Sequence, residues 1–484
     1  MTKTKTKTKT SSGGGSGGGG GGGLLTLPRT RVCVLHPDLG LGGAERLVVD
    51  MACELGARHS CEVDVYTAHH DNRRCFKETR EQVDFKVHVR GNTWPRTILG
   101  GKCVALCAMI RMLAIAIHVA LWCNYDVVLI DQVSVAILPF KVTRAVRNVR
   151  NKVAKQVGWA ASDSDSVSSR KRKKEEKMKR KKEKEVKVVF YCHYPDQLLS
   201  TKRDSVVKRL YRLPLDWLEE WTTGMADVVL VNSLFTKQVF FGTFKRLARA
   251  NKTVDVLYPA VELEGEGDAA KKKGDKGKGG RGGAGDDDAA ATGVVFLSIN
   301  RFERKKNIAL AIAALKELHE DISSSPLEVL PRLVIAGGYD RRLPENVEYL
   351  EHLKDIARHL DVDKFIEYFP SFTDEQRAEL LEECTCVLYT PEREHFGIVP
   401  LEAMGAGRPV IACNSGGPLE TVVHQKTGFI CEPTPRAFAD AMKECMEGDC
   451  ARRLGRSASE HVKTKFSRKA FGERLFDIIN SDTM

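Results

Sequence analysis

Short apolar runs that end in glycine or a polar turn, each followed by apolar positions at helical spacing, recur along this chain. The first is Arg31-Val-Cys-Val-Leu35, followed by glycines and a helical pattern over 44–55. Comparable runs at 62–66, 126–130, 186–190 and 227–231 predict further strands, the last followed by Asn232 and Ser233 as a helix N-cap. The rhythm restarts with strands at 294–298, 332–336, 386–389 and 409–412, with helices beginning at Lys306, Glu345, Asp374 and Pro400. Strand and helix alternating in this way specify parallel sheets covered by helices. Two such halves place a cleft between them.

Three tracts break the rhythm. Residues 1–28 are Thr/Lys, Ser and Gly repeats that cannot offset chain entropy, and are read as a disordered tail. Residues 160–185 read as a charged insertion in the first half, 29–261, and 262–292 as a disordered linker to the second, 293–484. The 103–122 run is long enough to cross a bilayer, but Arg111 lies near its middle and His118 follows. It reads either as a core helix of the first half or as a membrane-attached one.

At 484 residues with 42% hydrophobic, 29% charged and 7% aromatic positions, the chain buries a sizeable core, which excludes wholesale disorder and a small disulfide scaffold. The formal charge of +12 invites a nucleic-acid partner. Its location argues otherwise: Lys3, Lys5, Lys7 and Lys9 and the eleven Lys/Arg against four Glu in 170–185 carry most of it, so the folded parts are nearly neutral. No nucleic-acid partner is expected. The fourteen cysteines follow no export signal, which points to a reducing, cytosol-facing location. Cys103/Cys107 and Cys384/Cys386 lack a second Cys/His pair, so no metal site is expected and they read as small buried hydrophobes.

Open α/β sheets bind ligands at the carboxyl ends of their strands, and three such places carry suitable groups. The loop from His36 through Gly40, Gly42 and Gly43 to Arg46 offers backbone N–H groups at a helix start, or simply a tight turn. It lacks a full dinucleotide fingerprint, which argues against a nicotinamide cofactor. The turn from Ser298 to Asn307 holds Arg301, Lys305 and Lys306, where Arg301 supplies a fork and Lys306 a point charge for one diphosphate. Cations at a helix start oppose its dipole and call for a compensating anion. The third place runs from Pro391 to Gly405. Glu394 falls in a loop and Glu402 in the following helix, so two carboxylates can hold hydroxyls on two parts of one ligand, with Gly397, Ile398 and Val399 offering N–H groups to phosphate.

The string Glu394 to Glu402 resembles the EX7E signature of retaining GT-B glycosyltransferases that use nucleotide sugars. More narrowly, HPDLGLGGAERLVVD at 36–50, FYCHYPDQLL at 190–199 and NRFERKKNIALAI at 300–312 resemble the eukaryotic α-1,3/1,6-mannosyltransferases of the dolichol-linked oligosaccharide pathway. The resemblance runs from about residue 31 to 479. It implies a GT-B fold, two Rossmann-like α/β domains facing across a cleft, with GDP-mannose as donor, no cofactor and no metal. The implied acceptor is a dolichol-diphosphate oligosaccharide, Man1GlcNAc2, at the cytosolic face of the endoplasmic reticulum membrane. An α-1,3 and then an α-1,6 mannose would be added there, with neighbouring mannosyltransferases of the pathway as candidate partners.

Residue by residue, the resemblance makes His193, Arg301, Lys306 and Glu394 catalytic. It assigns donor binding to Gly42, Gly43, Arg301, Lys305, Lys306, Glu394, His395, Phe396, Gly397, Ile398, Val399 and Glu402, with Glu402 on the ribose and His193 facing the sugar. A lipid acceptor also favours the membrane-attached reading of 103–122. Two alternatives are another GT-B transferase acting on a different lipid, and a non-catalytic membrane-bound scaffold using the 170–184 tract on anionic lipid or RNA. That tract has no aromatics for base stacking.

Overall fold

The computed structural model describes residues 29–59, 61–90, 94–98, 103–158, 185–199, 206–263, 293–323 and 330–481. The tail at 1–28, nearly all of the 160–185 insertion and most of the 262–292 linker lie outside them.

The first half is a seven-stranded parallel sheet of order β3-β2-β1-β4-β5-β6-β7. Its strands are β1 (Arg31–His36), β2 (Glu62–Thr67), β3 (Lys86–Val89), β4 (Val127–Asp131), β5 (Lys187–Cys192), β6 (Val228–Val231) and β7 (Val254–Val256). Helices α1 (Gly43–Cys53), α2 (Lys77–Glu81), α3 (Val104–Trp122), α4 (Leu138–Gly158), α5 (Asp196–Leu199), α6 (Val206–Gly224), α7 (Leu234–Thr243) and α8 (Lys245–Arg249) lie between them. The second half is a six-stranded parallel sheet, β10-β9-β8-β11-β12-β13. It comprises β8 (Val295–Ile299), β9 (Arg332–Gly337), β10 (Ile366–Pro370), β11 (Cys386–Tyr389), β12 (Val410–Cys413) and β13 (Gly428–Cys431). Its helices are α9 (Ala309–Ile322), α10 (Pro344–His359), α11 (Asp374–Glu383), α12 (Ile398–Gly405), α13 (Pro418–Thr421), α14 (Pro435–Met446) and α15 (Cys450–Lys465), and α16 (Arg468–Asn480) ends the described chain.

Both sheets are buried on both faces, which is why their central strands are continuous apolar runs. Val32, Val34, Val65 and Leu129 pack under α1 on one face of the first sheet. Cys33, Leu35, Val128 and Ile130 pack on the other face under Met112, Ile115, Ala116 and Val119 of α3. The 103–122 segment is therefore a covering helix of the first core, with Arg111 buried, while Ile117, Leu121 and Trp122 remain exposed. A membrane span would draw its inner residues out of that core. The paired cysteines Cys384 and Cys386 are fully covered, and burial pushes the Cys384 thiol up to about 12.

The last helix departs from the two-half division. Phe471, Leu475, Ile478 and Ile479 of α16 pack into the α1 side of the first core, although the sequence places them with the second half. Arg468 reaches Asp50 at 3.2 Å, and the Lys187 ammonium donates to the carbonyls of Ile478 (2.7 Å) and Ser481 (2.6 Å). A cation on the last carbonyls complements the helix dipole.

Candidate functional site

The cleft is lined by the carboxyl ends of both sheets. In the second half, β8 ends at Ile299 and the chain turns through Arg301 into a short 3-10 turn, Arg304–Lys306. The helix therefore begins at Ala309, later than Lys306, because the cationic residues occupy the turn before it. Lys306 is folded inward, 9% exposed, and its Nζ lies 2.5 Å from Glu394 Oε2, joining two motifs 88 residues apart. Thr390 at the end of β11 donates to the Lys306 carbonyl (2.7 Å), which fixes that turn against the Glu394 loop. Arg301 and Lys305 point outward instead, 61% and 67% exposed, and share the Glu303 carboxylate at 2.9 and 3.1 Å. The three cations thus form one inward ion pair and two solvent-facing charges on one turn. The compensating anions for this turn are the protein's own Glu303 and Glu394.

The Glu394 loop is held by backbone. Gly417 N–H donates to the Glu394 carbonyl at 2.8 Å. A Cβ on Gly416 would come within 2.4 Å of that carbonyl, and one on Gly417 within 2.0 Å of the Phe396 carbonyl. Only glycine permits this approach. Gly397 caps α12 at φ 79°, in the left-handed region, and turns the N–H groups of Ile398 and Val399 toward the cleft end of the helix. Beneath it lies Tyr389, whose hydroxyl burial and the charges of Glu394 and Glu402 together hold protonated far above its usual range. Glu402, one turn into α12, is bridged by Arg377 of α11 at 2.8 Å. Burial raises the Glu402 pKa despite that arginine.

In the first half, Gly42 caps α1 with extended backbone; a Cβ there would come within 2.3 Å of the Glu45 carboxylate, whereas one on Gly43 would meet no atom within 4 Å. His36 ends β1, Asp131 ends β4 and His193 follows β5, three neighbouring strands. Their register brings them together: His36 Nδ1 donates to Asp131 Oδ2 and His193 Nε2 to Asp131 Oδ1, each at 2.8 Å. Glu45 of α1 lies 3.9 Å from the other nitrogen of His36. Burial opposes charge on His36, Glu45 and Asp131. The two imidazoles nevertheless hold the Asp131 carboxyl at about 2, while Asp131 and Glu45 raise His36 to about 9. A fully buried carboxylate thus orients His193, which stays 23% exposed toward the cleft.

The residue after His193 closes the gap between lobes. Tyr194 packs on the His395 ring with centroids 3.8 Å apart, and Ser233 donates to the His395 carbonyl at 2.6 Å. Glu420 of α13 accepts from the N–H groups of Leu234 and Phe235, both at 2.7 Å, so the second lobe caps the N-terminus of α7 in the first. Phe396 packs against Tyr258 with centroids 5.8 Å apart. Burial lowers the His395 pKa, with Lys305 and Lys306 acting in the same direction.

The structure therefore joins Lys306 with Glu394 directly and brings His193 to the same cleft through Tyr194. Glu402 shares only the Tyr389 wall with them. Four roles escaped sequence reading. Asp131 lies one residue beyond the strand expected at 126–130, and its partners are 95 and 62 residues away. Arg377 and Glu420 carried no local signal. Gly416 and Gly417 did, since adjacent glycines after a strand mark a close backbone approach.

Comparison with known proteins gives the family and the fold. A family model described as Glycosyl transferases group 1 matches residues 287–461. The chain is 43% identical over 93% of its length to alpha-1,3/1,6-mannosyltransferase ALG2 of Homo sapiens, covering 96% of that protein. It is 35% identical over 93% of its length to the ALG2 of Candida albicans, covering 98%. Among solved structures, sucrose-phosphate synthase of Thermosynechococcus elongatus superposes with a TM-score of 0.60 at 17% identity, covering 93% of this chain and 98% of that one. Anabaena Alr3699/HepE, in complex with UDP and glucose, gives 0.57 at 18% identity, covering 94% and 100%. These structural likenesses establish the two-lobed GT-B fold.

Proposed function

The chain belongs to the α-1,3/1,6-mannosyltransferase family, and from that premise we propose that it transfers mannose from GDP-mannose, with retention, to Man1GlcNAc2-diphosphodolichol. It would add the α-1,3 and then the α-1,6 residue at the cytosolic face of the endoplasmic reticulum. The observation that carries this reading is the Lys306–Glu394 pair at 2.5 Å. A nucleotide-sugar donor separates its two members usefully: the ammonium takes the diphosphate, and the carboxylate takes hydroxyls of the mannose.

On this reading the bond from the anomeric carbon to the donor diphosphate breaks, and a bond from the same carbon to an acceptor oxygen forms on the same face. The acceptor proton passes to the departing diphosphate, and GDP leaves. Lys306, with Arg301 at the solvent side, stabilises the charge that develops on that diphosphate; groups in such positions are worth roughly 10²–10³ in rate. His193 faces the sugar in the orientation imposed by Asp131, Glu402 holds the ribose, and the N–H groups of Gly397, Ile398 and Val399 meet phosphate at the α12 terminus. Gly42 and Gly43, at the start of α1, bind the donor from the first lobe, where a Cβ on Gly43 would meet no atom within 4 Å.

The test is to incubate the purified chain with GDP-mannose and a phytanyl-diphosphate-linked Man1GlcNAc2, then read product masses. Gains of one and then two hexoses, abolished by Glu394→Ala, are expected. Hexose gain from UDP-glucose but not from GDP-mannose would overturn the donor assignment.

A further inference from the structure

The strand order of the first sheet reverses between β1 and β4, which stand side by side although β2 and β3 separate them in the chain. In open α/β sheets the crevice at such a reversal, beyond the carboxyl ends of the strands, is where ligands bind. Polar side chains around it serve the protein itself. His36 and His193 are held by Asp131, and Thr67 at the end of β2 donates to the His69 carbonyl at 3.1 Å. Gln132, the residue after β4, differs. It is exposed, and its amide has no hydrogen-bond partner among the described residues.

The backbone of Gln132 is strained as well. Its φ is 63°, in the left-handed region, and the Val133 N–H donates back to the Asp131 carbonyl at 2.8 Å, closing a three-residue turn around it. A turn of that size with positive φ at its centre is rare and costly for a residue that carries a Cβ. Neither flank can relax. Before the turn, Asp131 is buried and bonded by two imidazoles. After it, Ser134 bonds Thr222 of α6 at 2.8 Å, and Val135, Ala136 and Ile137 are buried. The Gln132 N–H reaches the Tyr191 carbonyl of β5 only at 3.3 Å.

Gln82 supplies a contrast. It too has a positive φ, 49°, but it closes α2, and its side-chain oxygen accepts from the Val87 N–H at 3.0 Å, so there the strain serves the fold. At Gln132 the same conformation leaves the amide open at the end of the middle strand of seven, in the cleft, where no described residue uses it. Strain of this kind clusters where a ligand is held.

We propose that Gln132 binds the acceptor sugar, its amide spanning neighbouring hydroxyls of the terminal mannose. An amide brings one acceptor and two donors on a neutral group, which suits hydroxyls; a diphosphate calls for cations of the kind the second lobe holds. Gln132 adjoins Asp131, which orients His193, so acceptor and donor sugars meet over two adjacent strand ends. This assignment rests on the transfer reading above and adds to it the residue that places the hydroxyl to be glycosylated.

Gln132→Ala and Gln132→Gly test it, by steady-state transfer and by equilibrium binding of phytanyl-diphosphate-linked Man1GlcNAc2 with GDP in place of the donor. Both variants should raise the acceptor KM and weaken acceptor binding by roughly tenfold, the loss of one or two hydrogen bonds. The KM for GDP-mannose and the melting shift given by GDP should stay as in the wild type. Gln132→Gly should melt no lower than the wild type, because glycine takes φ 63° without strain. Unchanged acceptor KM and binding in both variants would overturn the proposal. So would a donor KM raised as much as the acceptor KM, or a Gln132→Gly chain that melts lower, since the residue would then belong to the fold. A wild type that binds the acceptor tenfold more tightly than the variants but transfers no mannose would refute the function above and leave this assignment standing; one that binds no acceptor would overturn both.

Discussion

The two lobes share one frame and differ in what they show to their surroundings. In the second lobe the outward helix positions carry ion pairs at helical spacing: Lys316 with Glu320, Lys354 with Glu351, Arg358 with Asp355, and Arg436 with Asp440. Such exposed pairs contribute little to stability, but they keep a helix face wet. In the first lobe the corresponding positions of α4 and α6 carry valine, leucine and tryptophan. The contrast continues inside the cleft. The second lobe offers cations open to solvent, whereas the first uses a carboxylate sealed between two imidazoles. Identical topology therefore leaves the choice of environment to side chains at a few outward positions.

That contrast can be broken at its strongest point first. Lys306→Ala should cut transfer by a factor of about 10²–10³, measured as single-turnover mannose transfer. A milder loss than from Arg301→Ala would reverse the ranking made here, in which the inward cation matters more than the exposed one. Asp131→Asn attacks the buried side of the comparison. Breaking a buried pair costs about 3–5 kcal/mol, so the melting temperature should fall on the order of ten degrees.

The same variant has a pH signature. His36 is raised to about 9 in the folded chain, so its contribution is complete below 6.5 and lost as pH rises through 9. Asp131, held at about 2, contributes above 3.8 and is lost as pH falls through 2. Wild-type stability should therefore decline between pH 6.5 and 9 in thermal scans, and Asp131→Asn should flatten that decline. A smaller effect comes from the lobe contact: Glu420→Ala leaves the Ser233 cap of α7 on the Thr236 N–H but removes the acceptor of the Leu234 and Phe235 N–H groups, and should cost about 1 kcal/mol, read by calorimetry with transfer largely retained.

How far the residues announce all this depends on where they sit. The interior strands β1, β4, β8, β9 and β11 were readable to within a residue or two, because burial on both faces makes them largely apolar runs, and β2 (EVDVYT) was readable by its alternation. The edge strands β3 (KVHV) and β10 (IEYFP), half-exposed, and the short β7 (VDV) and β13 (GFIC) lack that signal. The motifs around Lys306 and Glu394 were readable as local strings. Their contact was not, nor was the His36–Asp131–His193 arrangement, since both depend on pairings set only by sheet order. The apolar side of 103–122 was evident, but an apolar residue does not name its neighbour: the same side chains served core and surface alike.

The return of α16 to the first lobe sets an order on biosynthesis. Phe471, Leu475, Ile478 and Ile479 complete a core whose first strand is translated more than four hundred residues earlier. At roughly 5–20 residues per second the first lobe waits on the order of half a minute for its missing wall. During that interval its uncovered apolar surface is a natural client for chaperones, and a premature stop near residue 465 would damage the half of the molecule made first.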